Sequence, residues 1–406
     1  MTETKGARPL AGVRVLDLST MIAGPTTASL LADFGAEVVK VERPGVGDPL
    51  RQFGAQKSGR GLYWRTLSRN KASVALDLHH VEAQAILRDW IPQFDVLVEN
   101  FRPGTLERWN VGPDQLMARH PALVVLRVTA FGQSGPYRDR PGFGTLAEAM
   151  SGIAAVTGYS DRPPLLPAFP LADIMAGYLG ASASLAAAWR AKATGQGEVI
   201  DLAIYEAIMK LIELQILEYD QNGTLHERRG NQIEDTAPRG AYQCRDGLWL
   251  ALSTSTPSTA MRLLQAIGGD ALSGDPRFQT NADRVRHADL LDDLVAQWCR
   301  ERPRALALAE LEAMDCAAGP LEDVATMLEN PQVRARESVT TVEDPVLGSI
   351  RMLNTIPHFM NARPAHLSPG PDAVGADTLR VLQRDLGLTE PMLADLARRG
   401  VIGIGS

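Results

Sequence analysis

The sequence predicts an α/β protein, a doubly wound parallel sheet in a large domain with a smaller α+β domain joined to it by long linkers. Three observations carry that prediction. Two short apolar runs near the start, Val13–Leu18 (VRVLDL) and Glu37–Glu42 (EVVKVE), flank a helical stretch closed by Gly35. That is a β-α-β unit, the piece from which parallel sheets are assembled. Further strand-like runs recur, separated by helical patterns, as far as Ala203. Beyond Arg228 the pattern changes to a hairpin and a series of amphipathic helices. The expected boundaries are 1–203 for the large domain, 204–227 for a linker helix and 228–329 for the small domain. A second linker and C-terminal segment, 330–406, would return to the large domain.

Taken in order, Val13–Leu18 reads as a buried strand. It leads into Ser19-Thr20-Met21-Ile22-Ala23-Gly24-Pro25, a turn with Pro25 suited to the first helical position. Thr26–Phe34 continues as a helix, and the dinucleotide fingerprint G-x-G-x-x-G is absent from its turn. Plain scaffold and a ligand phosphate at the helix start both remain open for this segment. Arg43–Pro49 is a loop of turn residues, and Ser68–Leu78 holds a basic turn and a strand. A helix over Val81–Trp90 precedes a strand over Asp95–Val98. The residues that follow, Asn100 and Phe101, stand beyond a strand's carboxyl end, where open α/β sheets bind ligands. Leu123–Thr129 and Glu198–Ala203 are further strands, and Ile204–Tyr219 is helical in pattern. In the small domain Gly240–Gln243 and Leu248–Leu252 pair as a hairpin, and a charged helix over Glu390–Arg399 is closed by Gly400.

A chain of 406 residues can bury a large core in more than one domain. Hydrophobic residues at 45% and charged residues at 22% describe an ordinary globular protein. The net charge of -7 argues against general nucleic-acid binding. Met1–Pro9 is polar and lacks the apolar core of a signal peptide, which predicts a cytoplasmic home. Cys244, Cys299 and Cys316 have no close paired spacing, as expected of reduced thiols, and they offer no cysteine-built zinc site. No metal is expected, nor any permanently bound cofactor.

The stretch Pro164–Ala191 stands apart. Pro163, Pro164, Pro167 and Pro170 make an extended lead-in to a single acid, Asp173, followed by an uncharged run from Ile174 to Trp189 rich in small residues. Such a helix can approach neighbouring backbone closely. The uncharged run is short for a membrane span, which needs about 20 apolar residues, so a buried helix is expected. Asp173 falls in the first turn, where its carboxylate can accept backbone N–H groups and face the positive helix end. It reads either as an N-cap or as a carboxylate nucleophile held ionised by those donors beside a small-residue cavity.

The order of motifs along the chain resembles the class III CoA-transferases of the CaiB/BaiF type. The residues that carry the resemblance are PLAGVRVLDLS, AGP, GAEVVKVERPGVGDPLR, VENFRPGTLERWNVG, FGQSGP, PLADIMAGY, GQGEVIDLAIYEA, APRGAYQCRDG and ENPQVRARES. Within that family, PAFP, ARES and Ile22 look closest to the carnitine branch, and succinate-using members share much of the N-terminal half. The resemblance implies that Asp173 is the nucleophile and forms an aspartyl-CoA thioester, moving CoA from an acyl-CoA (succinyl-CoA among the possible donors) to a free carboxylic acid. It implies CoA contacts at Ile22 and Ala23 on the pantetheine path, at Arg43 beside the adenosine, and at Leu76, His79, Asn100, Phe101, Arg102 and Arg108. Ile22 stands where some oxalate-type members have glutamine, and His79 where a lysine can occur, which weakens a fixed positive charge. It implies a homodimer of interlocked subunits; the net charge and the short apolar run predict neither a nucleic-acid nor a membrane partner.

Two other functions stand as alternatives. The related 2-methylacyl-CoA racemases need a histidine after a Pro/Ala-Gly pair, and here Pro141-Gly142 is followed by Phe143. A non-catalytic CoA-binding protein has no need of Asp173. Finally, Arg239 follows Ala237-Pro238, where the family often has an aromatic residue. Its planar fork suits a second carboxylate on the substrate, or it pairs with Glu234 or Asp235 on a solvated loop.

Overall fold

The computed structural model describes residues 8–254, 256–362 and 367–405. The polar leading residues 1–7, on which the cytoplasmic expectation partly rests, lie outside them. Two compact units are present: Met1–Ile153 with Leu166–Glu213 and Ala335–Ser406, and Ala154–Leu165 with Leu214–Arg334.

In the first unit β1 (Arg14–Asp17), α1 (Ala23–Asp33), β2 (Glu37–Glu42) and β3 (Lys71–Leu76) follow in turn. Then come α2 (Val81–Trp90), β4 (Val96–Glu99), β5 (Val124–Thr129), α3 (Gly144–Met150), α4 (Leu171–Thr194), β6 (Glu198–Ala203) and α5 (Ile204–Met209). The C-terminal segment adds α6 (Thr378–Leu386), α7 (Glu390–Arg398) and β7 (Ile402–Gly403). The sheet order is β7-β3-β2-β1-β4-β5-β6, parallel throughout except for β7, which pairs antiparallel with β3. Strand order therefore reverses between β1 and β4, the place where doubly wound sheets open a crevice at their carboxyl ends.

The sheet is covered on both faces because successive strand residues point to opposite sides. Leu16, Val39, Val74, Leu97 and Val125 enter one core with residues of α2, α6 and α7, among them Trp90, Leu382 and Leu393. Val15, Val38, Val96, Val98 and Leu126 enter a second core with α1 and α4. Small residues let α4 lie close to α1. A Cβ on Gly177 would come within 2.5 Å of Thr26 Cβ, and Thr27 Oγ1 donates to the Gly177 carbonyl at 2.9 Å. By length and hydropathy α4 could cross a membrane, but its small-residue face is buried in this core.

Two local expectations change. α1 begins at Ala23, so Pro25 is its third residue, where proline is still tolerated because the N–H it lacks has no helical partner. The helical pattern after β6 is broken into α5, a 3-10 turn over Lys210–Ile212 and a helix over Glu213–Asn222. The second unit has a three-stranded antiparallel sheet of Arg239–Gln243, Trp249–Ser253 and Ala318–Pro320. Its core joins Tyr242, Leu250, Leu263, Val295 and Trp298. Ala154–Leu165, inside the large domain expected from the sequence, belongs to this unit.

Candidate active site

A cleft of about 580 Å³ opens at the strand-order reversal of the first unit. The loop after β1 (Thr20 to Ile22) and Asn100 after β4 form one wall; Asp173 and Glu148 project into it from α4 and α3. Asn100 ties the two loops. Its Oδ1 accepts from the Thr20 N–H at 2.8 Å, and its Nδ2 donates to the Thr20 carbonyl at 2.7 Å.

Asp173 is the third residue of α4, partly buried, and it does not act as the cap. The cap residue is Pro170, with no side-chain hydrogen bond of its own. Instead Glu148, on α3 and 3% exposed, accepts from the Ala172 N–H through Oε1 at 3.2 Å. The capping work is thus done across the cleft, and Asp173 is free to face it. Its carboxylate accepts from the Gly144 N–H, while burial and then the charge of Glu148 push its pKa from an ordinary 3.8 up to about 6. The expected lowering by helix donors is therefore not seen, because one N–H does not offset burial beside a second acid. At neutral pH the group is still mostly charged and weakly solvated, which suits a nucleophile.

The close fit explains Gly144. A Cβ there would lie 2.3 Å from Asp173 Oδ2. Tyr63 also feels the site, its hydroxyl held above the ordinary value by burial, then by the charges of Asp173 and Tyr178. Gly144, Glu148 and Tyr63 were missed in the sequence, where each is an ordinary helix or loop residue; only the glycine just ahead of an apolar helix was a signal. Phe143 is 70% exposed and lines the cleft, so no imidazole stands at the racemase position.

Of the residues expected to contact CoA, Ile22, Ala23 and Asn100 line this cleft. Arg43, His79 and Phe101 gather in a second group. His79 Nδ1 is 2.8 Å from Asp77 Oδ1. Burial would raise the Asp77 carboxyl, but hydrogen bonds from His79 and the charge of Arg43 hold it below the usual range. His79 and Phe101 each meet Trp109 edge-on, with ring centroids 5.0 and 5.2 Å apart. Trp109 was not singled out in the sequence. Arg102 is exposed, and Arg108 donates to Thr105 Oγ1 at 2.9 Å. Leu76 is 1% exposed in the core beneath β3, so its side chain cannot reach a ligand.

Arg239 lies in the second unit, exposed at the start of a strand, donating to the Asn231 carbonyl at 2.8 Å. It does not pair with Glu234, which takes His226 at 2.9 Å and Arg229 at 3.3 Å instead.

The chain resembles known proteins along most of its length. The family model for CoA-transferase family III matches residues 10–378. A succinyl-CoA–D-citramalate CoA-transferase of Chloroflexus aurantiacus is 41% identical over 403 residues, covering 99% of this chain and 100% of that protein. The beta subunit of a succinyl-CoA–L-malate CoA-transferase of Chloroflexus aurantiacus is 38% identical over 406 residues, covering 99% and 100%. The crystal structure of a CAIB/BAIF family protein from Brucella suis superposes with a TM-score of 0.81 at 29% identity, covering 93% of this chain and 100% of that one. The chain belongs to CoA-transferase family III, and it is a CoA-transferase.

Proposed function

We propose that this enzyme moves CoA from succinyl-CoA to a dicarboxylic acceptor, with Asp173 as the nucleophile. The carrying observation is the Asp173 carboxylate, weakly solvated and facing the cleft at the sheet's reversal point. An Asp173 oxygen attacks the thioester carbonyl of the donor, and the CoA thiolate leaves, giving a mixed anhydride. The thiolate then attacks the aspartyl carbonyl and releases the first carboxylate, leaving an aspartyl-CoA thioester. The acceptor carboxylate attacks that thioester, the thiolate leaves again, and its return to the acceptor's acyl carbonyl restores Asp173. Every step exchanges one acyl bond for another, so neither a reductant nor ATP is required. Gly144 supplies an N–H at the carboxylate, and Glu148 holds the head of α4.

The succinyl donor is supported by the two Chloroflexus relatives, whose names specify it, and they favour the succinate-using branch over the carnitine one. Both relatives take acids with two carboxylates. The cleft lining contains no lysine or arginine among the described residues, and Arg239 is our candidate for the acceptor's second carboxylate. Ile22, Ala23 and Asn100 would follow the pantetheine, with Arg43, His79, Phe101, Arg102 and Arg108 toward the adenosine and phosphates. A cytoplasmic homodimer completes the reading. It is supported by three unpaired cysteines and by apolar side chains left uncovered on α4, Tyr178, Leu179 and Trp189.

Incubation with succinyl-CoA and no acceptor should leave CoA on the peptide containing Asp173. Hydroxylamine should convert the ester to a hydroxamate and borohydride should reduce it to an alcohol, both read by mass spectrometry. An active sample that never labels this peptide would contradict the aspartyl-CoA route.

A further inference from the structure

Beneath the cleft wall runs a chain of buried charges with no part in the reaction steps. Lys71 Nζ is 2.9 Å from Asp17 Oδ2, Asp17 Oδ1 is 3.7 Å from Lys40 Nζ, and Lys40 is 3.0 Å from Asp48 Oδ2. None of the four side chains is more than 1% exposed. Burying four charges is costly, and such chains add little to stability compared with apolar packing. The end of this one acts on the cleft. Asp48 Oδ1 accepts from the Met21 N–H at 3.1 Å and from the Leu50 N–H at 2.9 Å. Met21 has φ +66, a left-handed conformation that non-glycine residues seldom adopt.

The neighbouring backbone is tied in the same way. Ser19 N–H and Oγ both donate to Asp17 Oδ1, at 3.0 and 2.5 Å, and Lys40 donates to the Ser19 carbonyl. With Thr20 donating to Asn100, three successive N–H groups reach side chains from three different segments. The turn is fixed from outside, and the residues it delivers, Ile22 and Ala23 at the start of α1, line the cleft.

We propose that Asp48, held by Lys40, is a positioning residue for the acyl-CoA substrate: it keeps Met21 left-handed so that Ile22 and the first turn of α1 present to the thioester arm. The inference rests on the reading of this cleft as the CoA site.

The test measures the affinity for CoA by calorimetry, with kcat and KM for succinyl-CoA, in the wild type, Asp48→Ala, Met21→Gly and the double variant. Asp48→Ala is expected to weaken CoA binding and raise KM by about tenfold or more, with kcat within about threefold. Glycine adopts a positive φ freely, so in the Met21→Gly background the loss of Asp48 should cost less than about threefold. Asp48→Asn keeps an oxygen for the two N–H groups and should stay nearer the wild type; it serves as the reference variant if Asp48→Ala does not fold. Its CoA affinity should then fall less than about threefold, and a larger loss that Met21→Gly leaves unchanged would contradict the proposal. Equal losses in both Met21 backgrounds, or a lowered melting temperature with unchanged CoA affinity and KM, would overturn it. Those results in an enzyme whose wild type transfers CoA remove the positioning role alone. A wild-type chain that neither binds nor transfers CoA removes the functional reading and the inference together.

Discussion

Asn100 and Thr20 exchange two hydrogen bonds, 2.8 and 2.7 Å long, across the one place where the sheet reverses its strand order. The side chain copies the pairing that a backbone strand would offer, and so closes the gap between the loops after β1 and β4. Asn100→Ala removes both bonds and leaves a partly buried N–H and carbonyl unpaired, at about 1–3 kcal/mol. Asn100→Asp keeps the acceptor and loses the donor. Thermal melts should place the aspartate variant between the alanine variant and the wild type, with KM for the acyl-CoA rising in the same order.

Gly144→Ala tests the fit around the proposed nucleophile. The added Cβ would sit 2.3 Å from Asp173 Oδ2 and 2.8 Å from its Cγ, too close for either atom to stay in place. A 1 Å displacement at a reacting group can cost about a hundredfold in rate. We expect kcat to fall by about that factor or more, with a far-ultraviolet circular dichroism spectrum like that of the wild type. A variant that retains wild-type kcat would contradict a requirement for this close fit between Gly144 and Asp173.

The pH dependence follows from the same carboxylate. Attack requires the ionised form, so turnover should fall on the acid side with a midpoint near the pKa of about 6. Glu148→Gln keeps an oxygen for the Ala172 N–H but removes the charge that helps raise Asp173. Its acid limb should shift to lower pH; an unmoved limb would mean that another group controls the rate.

Stability should move the opposite way. The folded chain holds the Asp173 proton to about 6 and the unfolded chain releases it near 3.8, so ionisation opposes folding. Stability on this account falls as pH rises from 3.8 to 6, and the full cost persists above 6. At about 1.4 kcal/mol per pH unit the cost reaches about 3 kcal/mol at most. Asp173→Asn should therefore abolish transfer yet melt higher than the wild type at pH 7 to 8, with the two converging below about pH 4. A lower melting temperature at neutral pH would contradict the burial argument.

The sheet was legible because each strand is an apolar run bounded by turn residues: Glu37–Glu42 and Glu198–Ala203 appear with the bounds the sequence predicts. The place of Asp173 in the first turn of α4 was legible from the proline lead-in and the small-residue helix. Its electrostatics were not, since Glu148 is twenty-five residues away in the chain and meets Asp173 only through the packing of α3 on α4. Asp17 and Lys40 did leave a trace, as charges inside otherwise apolar strands, but their partners Lys71 and Asp48 come from separate segments. Arg239 was read against Glu234, its near neighbour in sequence, whereas the fold gives Glu234 to Arg229 and His226.

That leaves Arg239 open for a ligand. It is exposed, makes one hydrogen bond, to the Asn231 carbonyl, and has no ion pair among the described residues. A guanidinium fork can take a carboxylate with two parallel, charge-assisted hydrogen bonds. If it meets the far carboxylate of the acceptor, Arg239→Ala should raise KM for a dicarboxylic acid by about tenfold or more. A monocarboxylic acid of the same length lacks that contact and should lose almost nothing. Arg239→Lys should restore only part of the discrimination, because an ammonium offers a point charge in place of the fork. Equal losses for both acids would assign the effect to the small unit's own folding, and no loss for either would take Arg239 out of the acceptor site.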